Sequence, residues 1–388
     1  MEQVRQAFYE EFGEPELLVH SPGRINFIGG HTDYHEGFVL PAAIESGLGF
    51  VLRRNGTPDR ARVRAMNVRA ESHFDIGAVP ATSEKWERYV KGMTVLMRER
   101  LPQLEGFDLV FGGDLPIGAG LSSSAALCCG LGLGLNALAG GNLDRLEIAR
   151  LAQTAEHRYA GVKCGLLDQM AVLFAKPDHA LFIDCRSQKF RAIPLALRDH
   201  ALVLIDSRVR HDHAESGYNQ RVAETAQGLA VIRKEYPHVA ALRDVDQEML
   251  RAVSEKMPPE VLARCLYVVA ENRRVESAVE HLENGQLGEF GELMFETHLG
   301  LRDLYRVSCP ELDFLAEMSA LFSGCVGARM VGGGFGGNLL AIVERSAVDR
   351  YIGGITQRFA EHFGKSVAVR TIMMGAGATV ERIGGVDV

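Results

Sequence analysis

The chain has 388 residues, of which 47% are hydrophobic and 24% charged, and its formal net charge is -8. That length exceeds what one hydrophobic core usually serves, so two domains are expected, and the acidic balance argues against nucleic acid or an anionic membrane as the main partner. Seven cysteines are scattered without a CxxC pair and no secretory leader is apparent, as expected of reduced thiols in a cytoplasm, while apolar runs too short or too broken for a span exclude a membrane helix.

Residues 1–16 are polar, with Val4, Phe8 and Phe12 at helical spacing, which predicts an amphipathic helix. Leu17-Leu18-Val19 reads as a strand leading into Ser21-Pro22-Gly23-Arg24-Ile25-Asn26-Phe27-Ile28-Gly29-Gly30-His31-Thr32-Asp33-Tyr34. Pro22-Gly23 is expected to break that strand and leave Arg24 at its edge. Arg24, His31 and Asp33 offer one fixed cation and two hydrogen-bonding groups, a set suited to a polyhydroxylated ligand. Read one at a time, they are a surface arginine and the cap of a turn. Phe38 to Leu52 is strand-like and reads as a pair of core strands. Strand-like pieces at Arg62 to Met66 and Phe107 to Gly112 flank a helix from Trp86 to Arg98, and Trp86, the single tryptophan, reads as a core or interface aromatic.

The chain then reaches Asp114-Leu115-Pro116-Ile117-Gly118-Ala119-Gly120-Leu121-Ser122-Ser123-Ser124-Ala125-Ala126. The glycines allow a tight turn and close backbone approach to a ligand. The serines stand where a buried helix, running to about Leu138, would begin, and free N–H groups with the helix dipole make an anion site there. No lysine follows the glycines, so this is no P-loop. The bland reading is a glycine turn with a serine N-cap.

Leu146 to Ala160 reads as a helix holding Glu156, followed by Gly161-Val162-Lys163-Cys164-Gly165-Leu166-Leu167-Asp168-Gln169-Met170, where Asp168 could cap the next helix. Ala201 to Asp206 is a strand. Beyond it, Arg208, His211 and His213 cluster near Tyr218, but without a third histidine the cluster does not read as a metal site. Residues 219–321 read mostly as helices. The run Gly332-Gly333-Gly334-Phe335-Gly336-Gly337 matches GxGxxG, yet a strand follows it rather than a helix, so the dinucleotide reading fails. A glycine turn between strands at Val326 to Val331 and Leu339 to Val343 fits instead, and Ser366 to Met374 is taken as the last strand.

The three blocks around Arg24, Ser122 and Gly333, in this order, resemble the GHMP kinase superfamily, and the first is similar to the galactokinase signature. The resemblance implies an α+β, two-domain GHMP kinase fold with the active site in the interdomain cleft. Residues 1–200 would carry the sugar site and the phosphate loop, and residues 201–388 the second domain, with a last strand returning to the first. The implied reaction is transfer of the ATP γ-phosphoryl group to C1 of a galactose-configured sugar. Asp168 and Arg24 would be catalytic; Gly30, His31, Asp33, Gly165, Asp168 and Tyr218 would contact the sugar. Pro116, Gly118, Ala119, Gly120, Leu121, Ser122, Ser123 and Ser124 would cradle the phosphates, with Trp86 near the adenine, and Ser124 and Glu156 would bind Mg²⁺, which suits oxygen ligands. A loose phosphoryl-transfer transition state demands little proton removal, so positioning and charge neutralisation would carry most of the rate.

In one place the chain departs from that signature. Galactokinases read Gly-Glu-His where this chain has Gly29-Gly30-His31, so the carboxylate that meets the C6 hydroxyl is missing. A glycine there suits a sugar without C6, such as L-arabinose, and no longer repels a C6 carboxylate, as in galacturonate. Three readings follow: a galactokinase, a kinase for one of those other sugars, or a non-catalytic sugar sensor on the same fold. A cytoplasmic monomer or weak homo-oligomer is expected in each case.

Overall fold

The computed structural model describes residues 1–78, 82, 84–116, 120–210 and 214–383. Strands β1 (Leu17–Ile28), β2 (Phe38–Arg54), β3 (Arg60–Ala65), β4 (Ala70–Asp75), β5 (Phe107–Gly113), β6 (His179–Asp184) and β7 (Lys189–Pro194) belong to one sheet. Strands β8 (His200–Asp206), β9 (Cys325–Met330), β10 (Asn338–Glu344) and β11 (Ala368–Ile372) form another, in the order β11-β8-β10-β9. A final strand, β12 (Thr379–Arg382), goes back to the first sheet, whose order is β12-β1-β2-β5-β3-β4, with β6 pairing β2 and β7.

Helix α1 (Glu2–Phe12) covers the outer side of the first sheet with Val4, Ala7, Phe8 and Phe12, against Val51 and Val110. Helices α2 (Lys85–Arg100), α3 (Ser123–Leu138), α4 (Arg145–Ala155) and α5 (Leu167–Phe174) contribute to the large core built on that sheet. Helix α3 is apolar on all sides because it is enclosed: Leu131 and Leu135 are fully buried, as are Cys128 and Cys129. The second sheet packs with α6 (Ala214–Glu235), α7 (Gln247–Val253), α8 (Pro259–Glu283), α9 (Leu287–Gly300), α10 (Pro310–Ala320) and α11 (Val348–Phe363), mostly around a separate core. Among the described residues no helix is long and apolar enough to cross a membrane.

Several expectations need correction. Pro22-Gly23 does not end the first strand: β1 runs on to Ile28, with a register shift between Pro22 and Arg24. The proline is tolerated because β12 pairs β1 only as far as His20, so from there β1 is an edge strand whose missing N–H leaves no ladder bond unmade. The helix expected to run to Ala160 stops at Ala155 and continues as a wider i→i+5 turn over Glu156–Ala160, ended by Gly161 at φ 76°. Ser366 to Met374 is not the last strand, since β12 follows it. Strand β4 was not foreseen; the buried Phe74 is its one large apolar side chain, a pattern too weak to show alone.

Candidate active site

A cleft of about 790 Å³ opens between the two cores. Arg24, Asn26, Asp33, Glu156 and Asp168 line it from one side and Tyr218, Arg329 and Gly333 from the other. Its centre is Asp168, in the first turn of α5. Arg24 Nε donates to Asp168 Oδ1 at 2.6 Å, and Ser122 Oγ donates to Asp168 Oδ2 at 2.5 Å. Both carboxylate oxygens are therefore held, each with a lone pair left for a substrate hydroxyl. Arg24 is itself fixed by a 2.6 Å bond from Nη1 to the Gly120 carbonyl.

A serine does hold the cap position before α3, but it does not cap with its side chain, and Asp168 is no cap at all. Ser122 sits in the left-handed region at φ 57° and makes no side-chain cap bond, its hydroxyl being committed to Asp168. The cap position before α5 belongs to Leu166. Gly120, at φ 74°, has the Val331 carbonyl oxygen 2.7 Å from where a Cβ would stand, and Gly332, at φ 84°, has the Gly120 Cα at 2.7 Å. The two glycine segments thus meet backbone to backbone, which any side chain would prevent. Leu121, Ser123 and Ser124 line the same stretch of the cleft. Pro116 is half-buried and does not line it, and Gly118 and Ala119 lie outside the described residues, as do His211 and His213.

Glu156 is 3% exposed at the bottom of the cleft. Gln169 Nε2 donates to its Oε1 at 2.7 Å, and the Ser124 hydroxyl also bonds its carboxylate. Burial, and then the charge of Asp168, push the Glu156 carboxyl up to about 7. Ser124 and Glu156 are thus an adjoining hydroxyl and carboxylate, the hard oxygen donors that Mg²⁺ accepts while keeping most of its waters. A carboxyl held partly protonated by burial is one that a cation would return to its charged form.

On the other flank, Asp33 lies against Gly165, where a Cβ would be 2.3 Å from Asp33 Oδ2. Desolvation, and then the neighbouring Asp168, push the Asp33 carboxyl up to about 7. His31 is buried, and both its ring nitrogens are engaged. Nε2 meets the Gly333 carbonyl at 3.1 Å and must carry the proton, so Nδ1 accepts from Tyr34 Oη at 2.8 Å, and that hydroxyl accepts from Tyr305 Oη at 2.7 Å. Burial pulls the His31 imidazole down to about 3, which keeps this neutral tautomer. Tyr218 stacks at a tilt on His31 with ring centroids 5.2 Å apart. His31 thus ties the segment after β1 to the glycine loop of the second core, and Gly30 lines the cleft beside it.

Trp86 lies at the far, apolar end with Tyr89, Phe111 and Leu127, and its Nε1 is buried without a partner. Sequence reasoning missed the roles of Ser122, Gln169, Tyr34, Tyr305 and Arg329. Gln169 and Tyr34 stand inside the quoted motifs, but only folding shows what their polar ends touch. No group of three or more His, Cys, Asp or Glu residues poised for a metal occurs among the described residues.

Comparison with known proteins places this geometry. The chain matches the family model of the GHMP kinases N terminal domain over residues 88–176, that of the GHMP kinases C terminal over 278–362, and the galactokinase galactose-binding signature over 6–54. It is 38% identical to the galactokinase of Roseiflexus sp. (strain RS-1), covering 95% of this chain and 94% of that one, and 38% identical to that of Chloroflexus aggregans, covering 97% and 96%. The crystal structure of Lactococcus lactis galactokinase complexed with galactose superposes with a TM-score of 0.92 at 33% identity, over 97% of this chain and 99% of that one. The fold is that of a GHMP kinase. Within that class the chain belongs to the galactokinase family, whose members are ATP-using sugar kinases.

Proposed function

We propose that this chain transfers the γ-phosphoryl group of ATP to the C1 hydroxyl of a galactose-configured sugar, with galactose as the reference substrate. The observation that carries the proposal is the Asp168 carboxylate, held at both oxygens by Arg24 and Ser122 where the cleft passes from the Asp33 and Tyr218 side to the glycine loop. Asp33, Tyr218 and the backbone at Gly165 would hold the sugar hydroxyls, with the anomeric hydroxyl against Asp168. Asp168 orients that hydroxyl and takes up its proton as the O–P bond forms, and Arg24 offsets the charge that develops beside it. His31, whose nitrogens are both bonded within the protein, acts by packing Tyr218 and by holding Gly333.

The segment from Gly120 to Ser124 would receive the phosphates at the start of α3, where free N–H groups and the helix dipole favour anions. Trp86 and its apolar neighbours would take the adenine, which offers Nε1 an acceptor. Ser124 and Glu156 would hold Mg²⁺, whose chemistry is to neutralise charge on the transferring phosphate. A cytoplasmic monomer or weak homo-oligomer is part of this reading, supported by seven cysteines that are all unpaired.

The test is ADP release by purified protein with ATP, Mg²⁺ and galactose, repeated with Asp168→Asn. Galactose-dependent ADP release that disappears in the variant is the expected result. A non-catalytic sugar sensor would bind both ligands and release no ADP.

A further inference from the structure

Outside the cleft, side chains from the two cores cross the boundary between them in a reciprocal pattern. Asp184 and Arg186 stand where β6 turns into β7, on the first sheet. Arg243 and Asp244 stand on a short turn of helix, Leu242–Asp244, whose Leu242 is fully buried in the second core. Arg186 forks onto Asp244, with Nη1 donating to Oδ1 at 2.7 Å and Nη2 to Oδ2 at 2.9 Å. Arg243 forks back onto Asp184, with Nη1 donating to Oδ1 and Nη2 to Oδ2 at 3.1 Å. Each core thus supplies one acid and one base.

Both carboxylates are oriented by their own backbone. Asp184 Oδ1 accepts from the N–H of Arg186 at 3.0 Å and of Ser187 at 3.2 Å, and Asp244 Oδ2 from those of Ala240 and Ala241 at 3.0 Å each. Isolated surface ion pairs contribute little, but bidentate forks joined in a network are the exception. Both arginines also reach the turn that carries Asp33. Arg186 Nε donates to Glu36 Oε2 at 2.6 Å, and Arg243 Nη1 donates to the Glu36 carbonyl at 3.2 Å. Glu36 closes that turn in the left-handed region at φ 59°, its N–H donating to the Asp33 carbonyl at 3.3 Å. A residue other than glycine persists there only when its surroundings hold it. The Arg243 guanidinium also lies over the Phe38 ring, 4.1 Å from its centroid, at the start of β2.

We propose that Asp184, Arg186, Arg243, Asp244 and Glu36 form an ionic clasp between the two domains that positions the Asp33 turn for the sugar. All five are positioning residues, since none of them lines the cleft. The inference rests on the sugar-kinase reading of Asp33 and deepens it, because it makes sugar affinity depend on contact between the domains. With the forks made, Glu36 and the Asp33 backbone are held from the second domain. With the forks broken, the turn loses those ties and Asp33 meets the sugar hydroxyls from a looser frame. The side chains of Arg186 and Glu36 are 38% and 49% exposed, so salt screens the clasp. Galactose is neutral and gives salt nothing of its own to screen.

The test is calorimetry of galactose and of ATP binding to wild type, Arg186→Gln, Asp244→Asn and the double variant. Each is measured at about 0.05 and 0.5 M NaCl, between which the screening length shrinks roughly threefold. Wild type should bind galactose about threefold more weakly at the higher salt. At low salt Arg186→Gln should weaken galactose binding by about fivefold and show little further response to salt. Asp244→Asn keeps the side-chain shape and an acceptor for the backbone, so it reads the lost charge, and its effect should be smaller. The double variant should be no weaker than Arg186→Gln, because both substitutions break one linkage. ATP affinity at matched salt should stay near wild type throughout. Lowered melting temperatures with wild-type galactose affinity and salt response would mean a purely structural role and overturn the clasp. Equal weakening of galactose and ATP binding would overturn it too. Wild type that binds galactose but releases no ADP overturns the kinase reading, and the same binding comparison then decides the clasp. Wild type that does not bind galactose overturns both.

Discussion

Two arginines line one cleft, and their situations are opposite. Arg24 has its acid: Asp168 lies 2.6 Å away and the Gly120 carbonyl takes a second bond, so the guanidinium is part of a finished arrangement. Arg329 is buried more deeply still, and among the described residues its hydrogen bonds go only to backbone carbonyls, while its tip packs against Gly30 and Glu271 acts on its charge without pairing with it. A paired buried charge is a fixture that positions its partner. One without a paired acid is held by carbonyl dipoles and a more distant carboxylate, and it costs more to bury.

The strongest way to break that contrast is Asp168→Asn, which takes the acid from Arg24 and leaves both arginines unpaired. Turnover should fall by about 10²–10⁴-fold while ATP binding by calorimetry stays near wild type. Wild-type-like kcat would remove Asp168 from the reaction. Ser122→Ala probes the same carboxylate more gently, because it keeps the ion pair and removes the second brace. The loss of a hydrogen bond to a charged group should lower kcat by roughly tenfold, with the melting temperature little changed. An unchanged kcat would mean that Arg24 alone positions Asp168.

Glu156→Gln moves away from the arginines to the proposed cation site. It should raise the Mg²⁺ concentration needed for half-maximal rate, with activity partly recovered at high Mg²⁺. A Mg²⁺ titration that superposes on wild type would withdraw the metal assignment.

The smallest expected effect concerns pH. Asp33 is pushed up to about 7 by desolvation and by the charge of Asp168. In the unfolded chain it ionises near 4, so between about pH 4 and 7 the folded state binds the extra proton and stability falls as pH rises. Asp33→Asn should flatten this slope, and its melting temperature should drop less than that of wild type between pH 5 and 7.5. Parallel curves for the two proteins would show that Asp33 ionises normally in the folded state.

The legible parts of the molecule were those with local causes. Helix α1 showed in Val4, Phe8 and Phe12, and the strands on either side of the glycine turn at 332–337 showed in their apolar runs. The Gly-Ser block and the segment around Gly165 were visible as motifs because turns and helix starts constrain residue type directly. Ser122 was visible as well, and it does stand at the cap position of α3, but its hydroxyl turns to Asp168 instead of capping the helix. A serine beside a helix start has two uses for its hydroxyl, and only the position of α5 decides between them.

Sequence by itself determined the kind of groups available: one arginine, two aspartates and a glutamate in recognisable settings, and a glycine at position 30. It could not determine which charges meet. The Arg24–Asp168 pair, the Gln169 bond to Glu156 and the chain from Tyr305 through Tyr34 and His31 to Gly333 all join separate elements. The approach of Arg329 to Gly30 depends on β9 crossing to the end of β1, which no periodicity encodes. Local propensity acts over a few residues, whereas charge pairing in a dry cleft acts through space, and so only the folded chain could show which buried arginine has an acid of its own.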